Sequence, residues 1–219
     1  MSSRNHRRVL LKALLLVLLL PFAQGAPPKG KASKGGEGKV AAAKAASCDP
    51  KEKNPQVLVT LGSDFFEANQ LEEAEKCYLL AMKHLKGNVN VQTVIRFNLA
   101  TVYTNMGRHE EALKALRKCV EADPKDAPSV LQLGRLLCDM KQFEEGLPYF
   151  KQAIGLDPND PNAWMSYGLK LQQAGRLTDS VEAYAKVSAL SPSDPRPHVQ
   201  LAVLFCSKDW KGRTDLSPA

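Results

Sequence analysis

Apolar residues from Leu58 onward recur three and four positions apart, which is the spacing of one face of an α-helix. Polar and charged residues fill the positions between them. The periodic stretches end near prolines such as Pro124, Pro158 and Pro192. Proline disfavours helix in the residue before it but is tolerated in a first turn. The pattern therefore predicts a series of short amphipathic helices.

The helical pattern itself returns every 34 residues. Three segments align at this period: Leu99-Ala100-x-x-Tyr103, Leu133-Gly134-x-x-Leu137 and Tyr167-Gly168-x-x-Leu171. A small residue opens the second half of each unit, at Ala112, Gly146 and Ser180. Each unit is predicted to be a pair of antiparallel helices that approach closely at the small residue. An isolated pair of helices cannot bury its apolar face, so the units are expected to stack.

Four complete units and part of a fifth are predicted, at about residues 55–88, 93–126, 127–160, 161–194 and 195–206. The first two units are 38 residues apart, and the extra residues predict a longer loop at Lys86–Asn90. The fifth unit fits one helix and then gives way to a divergent tail, 207–219. Either this helix caps the array, or the chain is a shortened form of a longer array. In the second case an exposed apolar patch would favour association.

This pattern resembles the tetratricopeptide repeat (TPR) family. The best match is the series Trp164-x-x-Tyr167-Gly168-x-x-Leu171, Gly175, Tyr184 and Pro192. The resemblance extends over about 55–206. It implies an all-α fold, an α-solenoid or TPR superhelix of about four complete helix pairs plus a partial fifth.

In that family the first helices line a concave groove that binds an extended peptide or a partner helix. By the same register, the predicted groove residues are Phe97, Asn98, Thr101, Asn105, Leu131, Gln132, Arg135, Met165, Ser166, Leu169 and Gln200. The amides suit a bound backbone and the apolar side chains offer pockets. Alternatively, the apolar members only pack within the superhelix.

Some family members clamp a terminal carboxylate with Lys, Asn and Arg at set positions of these helices. The corresponding residues here are Val59, Ser63, Asn98, Pro128 and Gln132. Asn98 alone matches. The resemblance therefore does not imply a cytosolic chaperone-tail receptor.

Residues 1–25 have the order of a secretory signal peptide. A basic start that includes Arg7 and Arg8 precedes the apolar run Ala13–Leu20, and Ala23 and Gly25 are small residues suited to cleavage after Gly25. The run is about half as long as a bilayer span of roughly 20 residues requires, so an uncleaved anchor is the weaker alternative. We expect the mature chain in the secretory pathway, in the ER lumen or outside the cell, or in a periplasm.

The net charge of +7 is unevenly distributed. Residues 1–54 hold 11 Lys and Arg against 3 Asp and Glu, which leaves 19 against 20 for the remainder. Residues 26–54 are rich in Gly, Ala, Lys, Pro and Ser, and are predicted to be a disordered basic tether. Without interleaved aromatic residues, the lysines do not indicate a nucleic-acid partner. Membrane contact is expected at most through this tether.

The chain contains five cysteines, so in an oxidising compartment at least one thiol is unpaired or bridges two chains. Cys119 falls on a packing position, and Cys77 precedes an aromatic packing position. Cys48 lies in the predicted tether. It is therefore predicted to be exposed and to form an intermolecular bridge.

No sequence pattern indicates catalysis. Phosphate-binding loops, HExxH and GxSxG motifs, and histidines at metal-ligand spacing are absent from the sequence, so no cofactor or metal is predicted. The acidic pairs beginning at Glu72, Glu110 and Glu144 share one repeat position, which predicts a solvated first turn of a second helix.

Three functions fit these observations. The first is a non-catalytic scaffold that binds a protein or peptide partner in the groove. The second is the repeat region of a longer secretory-pathway enzyme, present here as a truncated form. The third is an assembly protein that associates with itself through the open C-terminal helix or through Cys48.

Overall fold

The structure is a computed structural model that describes residues 48–85 and 89–206. These residues form helices and no strands: α1 Pro55–Glu67, α2 Leu71–His84, α3 Val89–Asn105, α4 His109–Ala122, α5 Ala127–Asp139, α6 Phe143–Leu156, α7 Pro161–Gln173, α8 Leu177–Leu190 and α9 Arg196–Cys206. The all-α prediction is confirmed. The predicted signal peptide, the tether up to residue 47 and the tail 207–219 lie outside the described residues.

The helices pack as successive pairs. Each odd-numbered helix packs on the helix that follows it, from α1 with α2 to α7 with α8, and each pair contacts the first helix of the next. First helices also touch each other directly, α1 with α3 and α5 with α7. Side chains such as Phe65, Phe150 and Tyr184 are fully buried between the helices. The described array is thus the predicted α-solenoid.

Capping residues explain where the first helices begin. Asn54, Asp126 and Asp160 each accept a hydrogen bond from a backbone N–H in the first turn of α1, α5 and α7. Each of these helices also carries proline in its first turn. Gln92 and Thr93 supply no such signal, and α3 begins at Val89 instead.

The predicted loop at Lys86–Asn90 is therefore wrong over its last two residues, which are helical. The four extra residues lengthen α3 to 17 residues, compared with 13 in α1, α5 and α7. Residues 86–88 lie outside the described part of the chain.

The turn inside each pair has the same backbone geometry. Gly107 and Gly175 have φ of 74° and 76°, and Asn69 and Lys141 occupy the corresponding positions at 57° and 66°. This left-handed conformation is free of strain for glycine and accessible to asparagine. Lys141 adopts it with its ammonium group 5.9 Å from the centre of the Phe143 ring.

The helices of a pair approach closely at small residues, as the sequence predicts. A Cβ atom on Gly146 would lie 2.6 Å from the sulfur of Cys138 and 3.0 Å from the carbonyl oxygen of Gly134. A Cβ on Gly168 would lie 2.7 Å from the ring of Tyr184. These glycines set the spacing within the third and fourth pairs.

The prediction for Cys48 is wrong. Cys48 is joined to Cys77 of α2 by a disulfide within the chain, and only 8% of its surface is exposed. Its backbone N–H also donates to Glu73 Oε2 at 3.3 Å. The disulfide thus attaches the predicted tether to the first repeat at Cys48. Helical periodicity does not indicate that Cys77 faces this segment, and for that reason the sequence did not predict the pairing. Cys119 and Cys138 are buried free thiols, and Cys206 is an exposed one.

Candidate partner-binding surface

The first helices present two parallel rows of side chains, one residue apart in each repeat. The apolar row is Val59, Phe97, Leu131, Met165 and Val199. The polar row is Thr60, Asn98, Gln132, Ser166 and Gln200. Each row takes one residue from each of α1, α3, α5, α7 and α9. Both rows therefore run across the repeats rather than along a single helix.

The predicted groove residues all lie on these first helices. Asn105 and Leu169 are exposed, and the other nine are half-buried. Val59 and Thr60 are further members of the two rows that the prediction does not include, and Val199 completes the apolar row on α9. Their register provides the signal, since Val59 and Thr60 precede Phe97 and Asn98 by the same 38 residues that separate the first two units.

The apolar row combines packing with exposure. Val59 and Phe97 pack against the buried cluster of the N-terminal repeats, Leu131 against the middle cluster and Met165 against the C-terminal cluster. Packing within the superhelix thus accounts for part of each side chain. The part of each side chain that does not pack is accessible to solvent along the row.

The polar row has both committed and uncommitted members. The Tyr78 hydroxyl lies 3.0 Å from Ser63 Oγ, and the nearby side chain of Asn98 opposes the rise in the pKa of Tyr78 that burial causes. Ser166 accepts a hydrogen bond from Arg135 Nη2 at 2.5 Å. Within the described part of the chain, the side-chain amides of Gln132 and Gln200 have no hydrogen-bond partner, so they remain able to bind a peptide backbone.

Two other predicted groove residues bond to their own helix. Thr101 Oγ1 donates to the carbonyl oxygen of Phe97 at 3.1 Å. Asn105 Nδ2 donates to the carbonyl oxygen of Thr101 at 3.0 Å. Each side chain keeps a free acceptor oxygen for a partner.

A polar contact that the sequence did not reveal links α5 with α7. Lys170 is 8% exposed, and its Nζ donates to Asp139 Oδ1 at 2.5 Å and to Gln173 Oε1 at 3.2 Å. Together with the bond from Arg135 to Ser166, it fixes the two helices relative to each other. The signal was weak, because Lys170 falls on a polar position of an amphipathic helix.

Ion pairs elsewhere join the second helices of neighbouring pairs, α2 with α4 and α4 with α6. Arg108 bonds Glu75 and Glu111, each at 2.6 Å, and Arg117 bonds Glu145 at 2.7 Å. The acidic pairs lie in the first turns of α2, α4 and α6, as predicted. The hydrogen bond from Arg108 lowers the pKa of Glu111, which favours its ionised form.

A cleft of about 430 Å³ opens beside α6, away from the two rows. It is lined by Phe143, Glu144, Leu147, Pro148, Lys151 and Arg176. Across the described ranges, no group of three or more His, Cys, Asp or Glu residues is placed to hold a metal ion. None of the helices in these ranges has the length and apolar character of a membrane span.

Comparisons with known proteins agree with this architecture. Residues 103–169 match the family model described as tetratricopeptide repeat. MamA residues 41 to the end, from Desulfovibrio magneticus RS-1, is 20% identical, with a TM-score of 0.63, over 75% of this chain and 90% of that one. YrrB, a TPR protein, is 20% identical, with a TM-score of 0.57, over 80% of this chain and 86% of its own.

A tetratricopeptide repeat protein from Parabacteroides merdae is 19% identical, with a TM-score of 0.63, over 69% of this chain and 59% of that one. No curated protein matches the chain at a significant level. At such identities the structural likeness establishes the fold. The segment that matches the tetratricopeptide repeat model, residues 103–169, thus lies within an α-solenoid that shares its fold with solved TPR proteins.

Proposed function

We propose that the chain is a non-catalytic interaction scaffold that binds an extended peptide, or a helix of a partner protein, along the two rows of its first helices. The observation that carries this proposal is the juxtaposition of an accessible apolar row and an uncharged polar row. A peptide could place apolar side chains against Phe97, Leu131 and Met165 while its backbone bonds the neighbouring amides.

The comparisons support a peptide as the partner. YrrB is described as having an unusual peptide-binding site. Tetratricopeptide repeats are in general interaction modules, and the family model that matches residues 103–169 is of that kind. An enzymatic role would require a set of convergent catalytic groups, and the apolar and polar rows offer amides, hydroxyls and apolar side chains instead.

We also propose that the scaffold works in the secretory pathway or a periplasm. The disulfide between Cys48 and Cys77 supports this, because such bonds persist in oxidising compartments. The signal-like order of residues 1–25 supports it independently. Expression with a C-terminal tag, followed by cell fractionation and N-terminal sequencing, tests the location and the cleavage after Gly25.

Capture of the partner tests the binding surface. The tagged chain is incubated with the secretory or periplasmic fraction of its source cells, and bound proteins are identified by mass spectrometry. The test variant is Leu131→Asp with Met165→Asp, in the apolar row. The matched control is Leu79→Asp with Leu156→Asp, which places the same charges at exposed leucines of α2 and α6.

We expect one dominant partner that binds the wild-type chain and the control but is lost from the test variant. Circular dichroism must show that both double variants remain helical. If a folded test variant retains the partner as the wild type does, the rows of the first helices are not the binding surface.

A second candidate function is self-association through α9. Val199 and Val203 are 55% and 52% exposed, and Ala202 and Cys206 continue the same exposed stripe at helical spacing. A second copy of the chain could cover this stripe. Analytical ultracentrifugation of the wild type and of Val199→Lys with Val203→Lys tests it. A mass that stays monomeric at all concentrations would exclude this candidate.

A further inference from the structure

The rows of accessible side chains on the first helices contain one charged residue. A third row, three residues beyond the polar row, consists of Ser63, Thr101, Arg135, Leu169 and Val203. Across the apolar, polar and third rows, every side chain but Arg135 is uncharged. Arg135 is half-buried on α5, in the middle of the array. A cation at this place is therefore specific to one repeat.

Arg135 also differs in its partners from four of the five other arginines in the described array. The fifth, Arg96, lies outside the three rows and donates to Gln92 Oε1 of its own helix at 3.1 Å. Arg108, Arg117, Arg176 and Arg196 each form an ion pair with a carboxylate. Arg135 has no carboxylate oxygen within ion-pair distance among the described residues, and donates one hydrogen bond to the neutral hydroxyl of Ser166. A guanidinium has five N–H donors, so most of its hydrogen-bonding capacity is not used within this part of the chain.

The environment of Arg135 favours an incoming anion. Burial lowers the pKa of Arg135, and the nearby charges of Asp160 and Asp139 act in the opposite direction. Both carboxylates have other partners: Asp139 accepts from Lys170, and Asp160 accepts from the backbone N–H of Asn162 at 2.8 Å. A half-buried cation without its own counter-ion gains most from a carboxylate supplied by a ligand.

We propose that Arg135 is the anchor for a carboxylate of the bound peptide, with Ser166 holding the guanidinium in place. This inference rests on the proposed function and gives the peptide a chemical class. It is an extended segment with apolar side chains for Leu131 and Met165 and one carboxylate for Arg135. The carboxylate belongs either to an Asp or Glu side chain or to the C-terminus.

The probes are three synthetic libraries of extended peptides with randomised apolar and neutral polar residues. The first library has a free C-terminus and no acidic residue. The second is amidated and has one Glu at a fixed central position. The third is amidated and has Gln at that position. Binding to the immobilised full chain is measured for the wild type and for Arg135→Gln, Arg135→Lys and, as control, Arg117→Gln on the exposed side of α4.

We expect one of the two carboxylate libraries to bind the wild type about tenfold more tightly than the neutral library. Arg135→Gln should remove that preference, so that the ratio of affinities for the carboxylate and neutral libraries falls to about one. Arg135→Lys should recover part of it, and Arg117→Gln should keep it in full. The library that shows the preference identifies the source of the carboxylate.

Three results overturn the inference, and they have two different consequences. If neutral and acidic peptides bind the wild type equally, Arg135 is not an anchor; the scaffold function still stands where the double variant Leu131→Asp with Met165→Asp abolishes the binding of both. An acidic preference that survives Arg135→Gln has the same meaning. If no library binds the wild type, both the inference and the peptide-binding function are wrong.

Discussion

Replacement of Gly146 by alanine tests the close approach of α5 and α6. The added Cβ would lie 2.6 Å from Cys138 Sγ, 3.0 Å from the Gly134 carbonyl oxygen and 3.1 Å from the Cys138 backbone nitrogen. Two of these three atoms belong to the backbone of α5. They cannot rotate away, so the two helices must separate. Overpacking of this kind costs about 1–3 kcal/mol.

Alanine also favours helix over glycine by up to about 1 kcal/mol, which opposes the overpacking cost. Gly155→Ala provides a matched control, because Gly155 lies on the same helix with nothing within 4 Å of its added Cβ. To a first approximation the helix-propensity gain is common to both variants. The free energy of unfolding of the two should therefore differ by the overpacking term alone, about 1–3 kcal/mol in favour of Gly155→Ala.

The measurement is urea denaturation followed by far-UV circular dichroism, with the slope of the transition compared between variants. Adding Cys138→Ala to Gly146→Ala should recover part of the loss, since the sulfur contact disappears but the contact with the Gly134 carbonyl remains. If Gly146→Ala is as stable as Gly155→Ala, the helices are not in the close contact described here.

Three further predictions concern the disulfide, the free thiols and the buried lysine. Cys48→Ala with Cys77→Ala should lower the free energy of unfolding by about 3–4 kcal/mol, the chain-entropy value for a sequence separation of 29; reductant should destabilise the wild type similarly in urea denaturation but leave the variant unchanged. A thiol reagent near neutral pH should modify Cys206 rapidly in the folded chain and reach Cys119 and Cys138 only after unfolding, as mass spectrometry of the labelled protein would show. Burial raises the pKa of both buried thiols, Cys119 and Cys138, to about 11. The unfolded chain therefore loses these protons at lower pH than the folded chain does, and the free energy of unfolding should fall as the pH rises from about 9 to about 11. Replacing both cysteines with alanine should flatten this part of the pH profile, and an unchanged slope would contradict the prediction. Asp139→Asn should destabilise the array by about 1–3 kcal/mol because Lys170 then loses its counter-ion, and adding Lys170→Met should restore most of the loss; additive effects in this double-mutant cycle would contradict the pairing.

The repeat and its helices could be predicted because their causes are local. Asn54, Asp126 and Asp160 cap helices through their own side chains, and Gly107 and Gly175 close turns through their own backbone conformation. The position of the candidate surface also followed from the sequence, because a strict period places Phe97, Leu131 and Met165 in equivalent environments. The start of α3 was missed because Gln92 and Thr93, at the positions where the other first helices begin, supply neither a cap nor a first-turn proline.

The tertiary structure decided the pairings between distant residues. Cys48 lies 29 residues before Cys77, and their contact depends on how the segment before α1 folds back onto α2. Lys170 meets Asp139, and Arg135 meets Ser166, because α5 and α7 lie side by side. Periodicity determines which residues share a face of a helix. Which side chains meet across two faces depends on the spacing and rotation of packed helices, and that is fixed by the whole array.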